Sequence, residues 1–293
     1  MLVQLIANGL ANACLTALMA TGFALIYNTT RIFHLAHGSV YVVAAYAYYA
    51  AAQYLHWPQF VAVTFAVAVG TFVGCAIELL AYSPLYRKQA STTIYLLTSF
   101  GLYIALINTV ALLFGNEVRV FPTTQQSAVS LGPVLLTGIQ LLEVATSIVV
   151  LAPLMILLRK SNWGRLIRAV RDNPTLASTT GVNLASVRRF VFAAGSALAG
   201  VAAVLAVLDV GADPQSGLPV LLIAIVAVIV GGIGSFGGPI LGSMIVALLQ
   251  SIAIWQISPK WSQAITFGIL ILFMIFRPTG LLGIRRRIEE VIE

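Results

Sequence analysis

Apolar residues run along this chain in blocks, and each block is about as long as a bilayer crossing requires. A hydrocarbon core of about 30 Å takes about 20 apolar residues in helical form, because no water is present there to satisfy backbone N–H and C=O groups. Such blocks run from 3 to 27, 38 to 55, 59 to 82, 92 to 114, 135 to 158 and 190 to 209, then through a glycine-interrupted stretch from 218 to 254, and last from 262 to 276. The pattern predicts an all-α polytopic membrane protein of about eight or nine transmembrane segments. Residues 218 to 254 are too many for one span and are broken by Gly231-Gly232-Ile233-Gly234-Ser235-Phe236-Gly237-Gly238-Pro239. Two short spans or a re-entrant pair are expected, with the irregular backbone covered by protein or lining a water-filled cavity. The first block has no basic region before it and exceeds the length of a signal-peptide core, so it is expected to persist as a spanning helix.

Composition agrees with this reading and removes the soluble alternative: 60% of the 293 residues are hydrophobic and 9% are charged. The blocks follow one another closely, which predicts a single transmembrane domain over residues 1–293. A formal charge of +7 raises the question of nucleic acid, but the basic residues sit in a few short loops. With the N-terminus outside, Arg31, Arg87, Lys88, Arg159 to Arg171, Arg188, Arg189, Arg277 and Arg285 to Arg287 fall on the cytoplasmic side, and only Arg119 and Lys260 fall outside. Topology and anionic lipid headgroups account for that charge, so no nucleic-acid partner is expected. The same rule places the tail, 277–293, in the cytoplasm. Cys14 and Cys75 lie in separate apolar blocks without metal-ligand spacing, and they read as small buried hydrophobes.

The longest connection, 159–189, has a helical grammar of its own. Arg165, Arg168 and Arg171 recur every third residue beside Leu166, Ile167 and Val170. Asp172 or Asn173 can then cap a second short helix that starts at Pro174 and stops at Gly181. With Ala177, Ser178 and Thr180 expected on its exposed side, this helix suits insertion into a groove on another protein; lying on the membrane surface with its arginines on phospholipid is the other reading.

Four stretches carry a resemblance to the LivH-type permeases of branched-chain amino-acid ABC importers, a family that includes urea and short-chain amide permeases. Asn8-Gly9 with Ala17 to Tyr27 is similar to the family's opening helix. It leads into Phe33-His34-Leu35-Ala36-His37-Gly38, which keeps the last three residues of the usual Asn-Phe-Ala-His-Gly and departs from it at His34 and Leu35. Gly164, Arg168, Ala169, Asp172, Pro174, Ala177, Gly181 and Asn183 sit within a stretch similar to the family's cytoplasmic loop. Val230 to Gly242 is similar to its glycine-rich segment, and Phe276 to Gly283 to its closing signature. The resemblance implies a permease subunit that translocates branched-chain amino acids, or a related small polar solute such as urea or an amide. It implies that separate ABC ATPase subunits dock on the 159–189 loop, that an extracytoplasmic solute-binding protein delivers the solute, and that a second related permease subunit completes a heterodimer in the cell membrane.

The chain has no Gly-x-x-x-x-Gly-Lys-Ser/Thr, so ATP is expected on the partner subunits and no cofactor on this chain. Nor is it expected to be an enzyme: Ser235 has no histidine in a later helix to serve it, the three histidines being His34, His37 and His56. Ionisable residues within the blocks are few. Glu78 is near a cytoplasmic end, Asp209 at an outer end, and Glu143 about two turns in from the outside. Glu143, with Asn8, His37, Gly38, Gly231, Gly232 and Gly234, is a candidate for the translocation pathway, although a headgroup-level or subunit-pairing carboxylate is the alternative for Glu143. Asn8, Asn12, Asn108 and Gln140 are equally candidates for hydrogen bonds between helices. His34 and His37, three apart with no third ligand, are expected at the membrane interface and not as a metal site. An ion-coupled secondary transporter is the rival reading. It should show a second interrupted segment and conspicuous intramembrane carboxylates.

Overall fold

The computed structural model describes residues 2–120, 128–131, 134–256 and 258–283. The tail beyond 283, with Arg285 to Arg287, lies outside the described residues. Helices α1 (Leu2–Thr30), α2 (His37–Gln53), α3 (Gln59–Ile77), α4 (Ser83–Arg87), α5 (Thr92–Phe114) and α6 (Gly138–Lys160) are followed by two short ones, α7 (Asn162–Asp172) and α8 (Pro174–Thr179). Then come α9 (Leu184–Val210), α10 (Gly217–Gly231), α11 (Gly238–Gln256) and α12 (Ser262–Phe276). Among the described residues, seven helical stretches are long and apolar enough to cross a membrane, and α12 is a shorter apolar helix. The protein is a multi-pass membrane protein. One departure from the all-α expectation is small: a hairpin of β1 (Ala128–Leu131) and β2 (Val134–Thr137) precedes α6, so the fifth block becomes helical only at Gly138. There Thr137 and Gln140 form a reciprocal capping box, which is where the Gln140 side chain is used.

Two helices are wrapped by the others. Some 72% of the best apolar window of α1 and of α9 is buried, against 22% in α5 and in α6. Small residues permit this packing, since in lipid the close approach of backbones replaces the hydrophobic effect as the main source of helix association. On α3 the buried positions Ala62, Ala66, Gly70 and Gly74 repeat every fourth residue, and Gly70 and Gly74 face Gly200 and Ser196 of α9. Gly22 of α1 and Gly195 of α9 meet backbone to backbone, as do Gly38 of α2 and Gly217 of α10. The outer helices are inverted relative to soluble ones. On α6, Ile139, Glu143, Ser147 and Leu151 form the inward stripe, while Leu142, Ile148, Val149 and Ile156 face out.

Basic loops gather at one end of the bundle. Tyr86 donates to the Thr30 carbonyl at 3.2 Å, Arg31 to the Arg171 carbonyl at 3.4 Å and Arg171 to the Gly234 carbonyl at 2.7 Å, so the ends of α1, α4, α7 and α10 lie together. Arg119 pairs its backbone with Ala212, beyond the far ends of α5 and α9.

Irregular backbone enters the bundle at a place the hydropathy pattern does not mark. The ring of His37 lies against Gly22 and Phe23 of α1. Gly22 is about 12 Å along the helix from Thr30 at 1.5 Å per residue. Residues 31–36 therefore climb back inside, and α2 begins in the interior. Covering protein satisfies this stretch: Ala36 N–H donates to Ser99 Oγ at 3.0 Å and Ile32 N–H to Thr30 Oγ1 at 3.3 Å. His34 and His37 are thus fully buried, not interfacial as expected. The polar loop that holds them is lined by protein rather than by headgroups.

Candidate functional site

At the basic end the sequence builds a separate helical appendage. Ser161 caps α7 by accepting from Gly164 N at 3.1 Å. Gly164 is pressed on the last turn of α6, where a Cβ would collide with the carbonyls of Leu157 and Leu158. Arg168 donates to the Leu158 carbonyl, one of the acceptors a helix C-terminus leaves unsatisfied. Gly164 and Arg168 therefore fold α7 back against α6. Asn173 ends α7 and caps α8, accepting from Leu176 N at 2.9 Å, with Pro174 at the first helical position. Gly181 adopts φ of +87°, a conformation that favours glycine, and leads to Asn183, which caps α9 by accepting from Ser186 N at 3.1 Å.

The face of α8 differs from expectation. Ala177 is buried at 4% exposure, whereas Leu176 is 61% exposed. A six-residue helix takes its phase from what lies beneath it, and the small Ala177 lets α8 sit close to α7 and α9. That turns Leu176 outward among the exposed Pro174, Thr175, Ser178, Thr179 and Thr180. Ala169 and Asp172 are exposed as well. Trp163 stacks on Phe190 of α9 with ring centroids 4.5 Å apart, which braces α7 against the bundle.

The pathway candidates are not brought together. Asn8 accepts from Gln4 at 3.0 Å and, with Asn12, Gln250 and Ser251, lines a cleft of about 270 Å³ between α1 and α11. Asn108 bonds the Ile104 carbonyl of its own helix. Glu143 is 1% exposed and points into the bundle. Its Oε1 and the Ser147 hydroxyl one turn on have no hydrogen-bond partner among the described residues. Gly38 is held at the backbone contact with Gly217. Gly231, Gly232 and Gly234 form the turn from α10 to α11. Gly231 touches Gly238, and Gly232 packs on Gly280 and Gly283 of the segment after α12.

One polar grouping escaped the sequence reading. A π-helical turn, Glu78–Tyr82, joins α3 to α4 and turns both of its terminal side chains inward. Glu78 receives Arg188 Nε at 3.0 Å, and the Tyr82 hydroxyl lies 2.9 Å from His34 Nδ1. Turns of this kind are rare and frequent at functional sites, yet no residue type signals them.

Comparison with known proteins reaches the whole chain. Residues 5–274 match the family described as the branched-chain amino acid transport system permease component. The chain is 29% identical to the high-affinity branched-chain amino acid transport system permease protein BraD of Pseudomonas aeruginosa, over 99% of this chain and 98% of that one. It is 28% identical to the corresponding LivH protein of Escherichia coli K12, over 99% and 97%. To the probable LivH protein of Methanocaldococcus jannaschii it is 27% identical, over 92% and 89%. Among solved structures, a chain of PsaBC from Streptococcus pneumoniae in complex with Fab superposes with a TM-score of 0.54 at 12% identity, covering 98% of this chain and 94% of that one. That likeness is one of fold.

Proposed function

The chain belongs to the branched-chain amino acid transport system permease family, and from that premise we propose that it is the membrane-spanning subunit of an ABC importer for leucine, isoleucine and valine. The observation that carries this reading is the family match over residues 5–274, which takes in the bundle and the α7–α8 appendage alike. The basic end of the bundle faces the cytoplasm of a bacterial or archaeal cell and the N-terminus faces outward, in one transmembrane domain. ATP is bound by separate subunits, a second related permease completes the membrane unit, and an external binding protein presents the solute.

Helix α8 is the docking element. It is short, capped at both ends, mounted on the bundle through Gly164, Arg168 and Ala177, and it projects one apolar side chain, Leu176, among small polar ones. A lone exposed leucine on a rigid mount suits a groove on an ATPase subunit better than it suits a headgroup layer. Movement of α8 would then tilt the helices between outward-open and inward-open states. Of the pathway candidates, Asn8 opens into the cleft at the end remote from α8 and is placed to meet a solute. Gly38, Gly231 and Gly232 serve close backbone packing, and His37 and Glu143 are interior.

Extraction of the tagged chain in mild detergent from its host's membranes tests the reading. An ATPase and a second permease should copurify with wild type. Leu176→Glu, which forces a carboxylate into the groove, should lower ATPase recovery about ten-fold or more, whereas Leu176→Met should retain it. Recovery of wild type alone, or of equal ATPase with Leu176→Glu, counts against it.

A further inference from the structure

The glycine-rich turn between α10 and α11 is where the end of α1, the end of α7 and the segment after α12 meet. Its Gly234 N–H donates to Asn28 Oδ1 at 3.0 Å, and Asn28 Nδ2 donates back to the Ser235 carbonyl at 3.3 Å, so the end of α1 clasps the turn from both sides. Leu281 and Leu282, beyond α12, donate their N–H groups to the carbonyls of Val230 and Gly231 at 2.9 Å each. Arg171 approaches from α7. Its guanidinium donates to the Gly234 carbonyl at 2.7 Å, pairs with Asp172 at 2.8 Å, and lies over the Phe236 ring at 5.4 Å from the centroid. The Arg171 side chain is only 11% exposed, and its backbone carbonyl accepts from Arg31 at the end of α1.

Arg171 stands two residues before Asn173, which is at once the end of α7 and the cap of α8. Only Asp172 lies between Arg171 and Asn173, so α7 and α8 share a junction of a single extended residue. The planar guanidinium makes its contacts in fixed directions, unlike an ammonium on a free stem. We propose that Arg171 is the positioning residue that passes movement of α8 to α1 and to the α10–α11 pair, with the glycine-rich turn as the receiving end. The glycines let the turn lie close enough to three partners to be held by their backbones and side chains at once. This inference rests on α8 being the ATPase docking element.

The test is a coupling ratio. The wild-type complex with its ATPase, second permease and binding protein is reconstituted in liposomes, and radiolabelled leucine uptake is measured beside ATP hydrolysis. Arg171→Ala should retain the ATPase subunit and its basal hydrolysis within about two-fold, while leucine moved per ATP falls about ten-fold. Asn28→Ala should lower the same ratio, and the double variant should be no worse than Arg171→Ala, since both cut one chain of contacts. Arg171→Lys, which keeps the charge and one donor, should recover part of the ratio. Wild-type coupling in Arg171→Ala overturns the inference, as does loss of the ATPase subunit from that variant, which would make Arg171 a docking residue. A wild-type complex without an ATPase overturns the importer reading itself.

Discussion

Gly38→Val is expected to lower the thermal midpoint of the protein by forcing the start of α2 away from α10. A Cβ at Gly38 would lie 2.7 Å from the Gly217 carbonyl oxygen, and a Cβ at Gly217 would lie 2.7 Å from that of Gly38, so each helix occupies the space the other's side chain would need. Neither obstacle can rotate away, because both are backbone. The start of α2 cannot retreat either: it is enclosed by α1 and α10, with His37 on Gly22 and Leu221 beside Gly38. Overpacking in a core costs about 1 to 3 kcal/mol and more when the backbone must move. At the top of that range, a protein of this size should lose roughly 5 to 10 °C of thermal midpoint. Gly217→Val should do the same, and the pair should cost less than the sum because both part the same interface. Gly101→Val and Gly268→Val are the controls, since nothing lies within 4 Å of either position. Detergent-solubilised protein followed by size exclusion and a thermal melt decides it; Gly38→Val melting with wild type would mean that α2 does not start inside the bundle.

How far this was legible from sequence depends on what kind of information each feature carries. The apolar blocks give the spanning helices because length and composition suffice for membrane insertion, and the glycine-rich break between α10 and α11 is visible because no spanning helix tolerates such a run. Depth is a different matter. Residues 31 to 37 carry an arginine and two histidines and read as an ordinary interfacial loop; only the contacts with Gly22, Phe23 and Ser99 reveal that the loop rises into protein. The capping grammar here is local: of Asp172 and Asn173, it is Asn173 that caps α8, while the caps at Ser161 and Asn183 are not singled out from sequence. The rotational phase of α8 is not local, which is why Ser178 and Thr180 are exposed as expected while Ala177 is buried and Leu176 faces out. The glycines at 231 to 234 show the limit in another way: sequence marks an irregular turn, but its partners Asn28, Arg171 and Leu281 lie more than 45 residues away in every case.

Removing one member of the Glu78–Arg188 pair should destabilise the protein more than removing both. Glu78 lies in the π-helical turn with its side chain 1% exposed, and Arg188 in the first turns of α9 with 13% exposed. Their 3.0 Å contact joins the turn after α3 to α9, one helical turn beyond the Gly74 that packs on Ser196. The guanidinium also lies 3.9 Å over the Tyr86 ring, so Arg188 holds α4 as well. An ion deprived of its partner in such a place cannot return to water without unpacking the helices, and the measured cost of breaking buried pairs is about 3 to 5 kcal/mol. Glu78→Ala leaves the cation stranded; Arg188→Met leaves the carboxylate stranded but keeps an apolar stem against Tyr86. Glu78→Gln, which retains an acceptor for Arg188 Nε, should cost less than Glu78→Ala. The combination of Glu78→Ala with Arg188→Met should recover about 2 kcal/mol or more relative to the sum of its parts, because neither charge is then left alone. Thermal melts of the four variants supply the cycle. Strict additivity would show that the two side chains act independently and that α3 and α9 are held by their small residues alone.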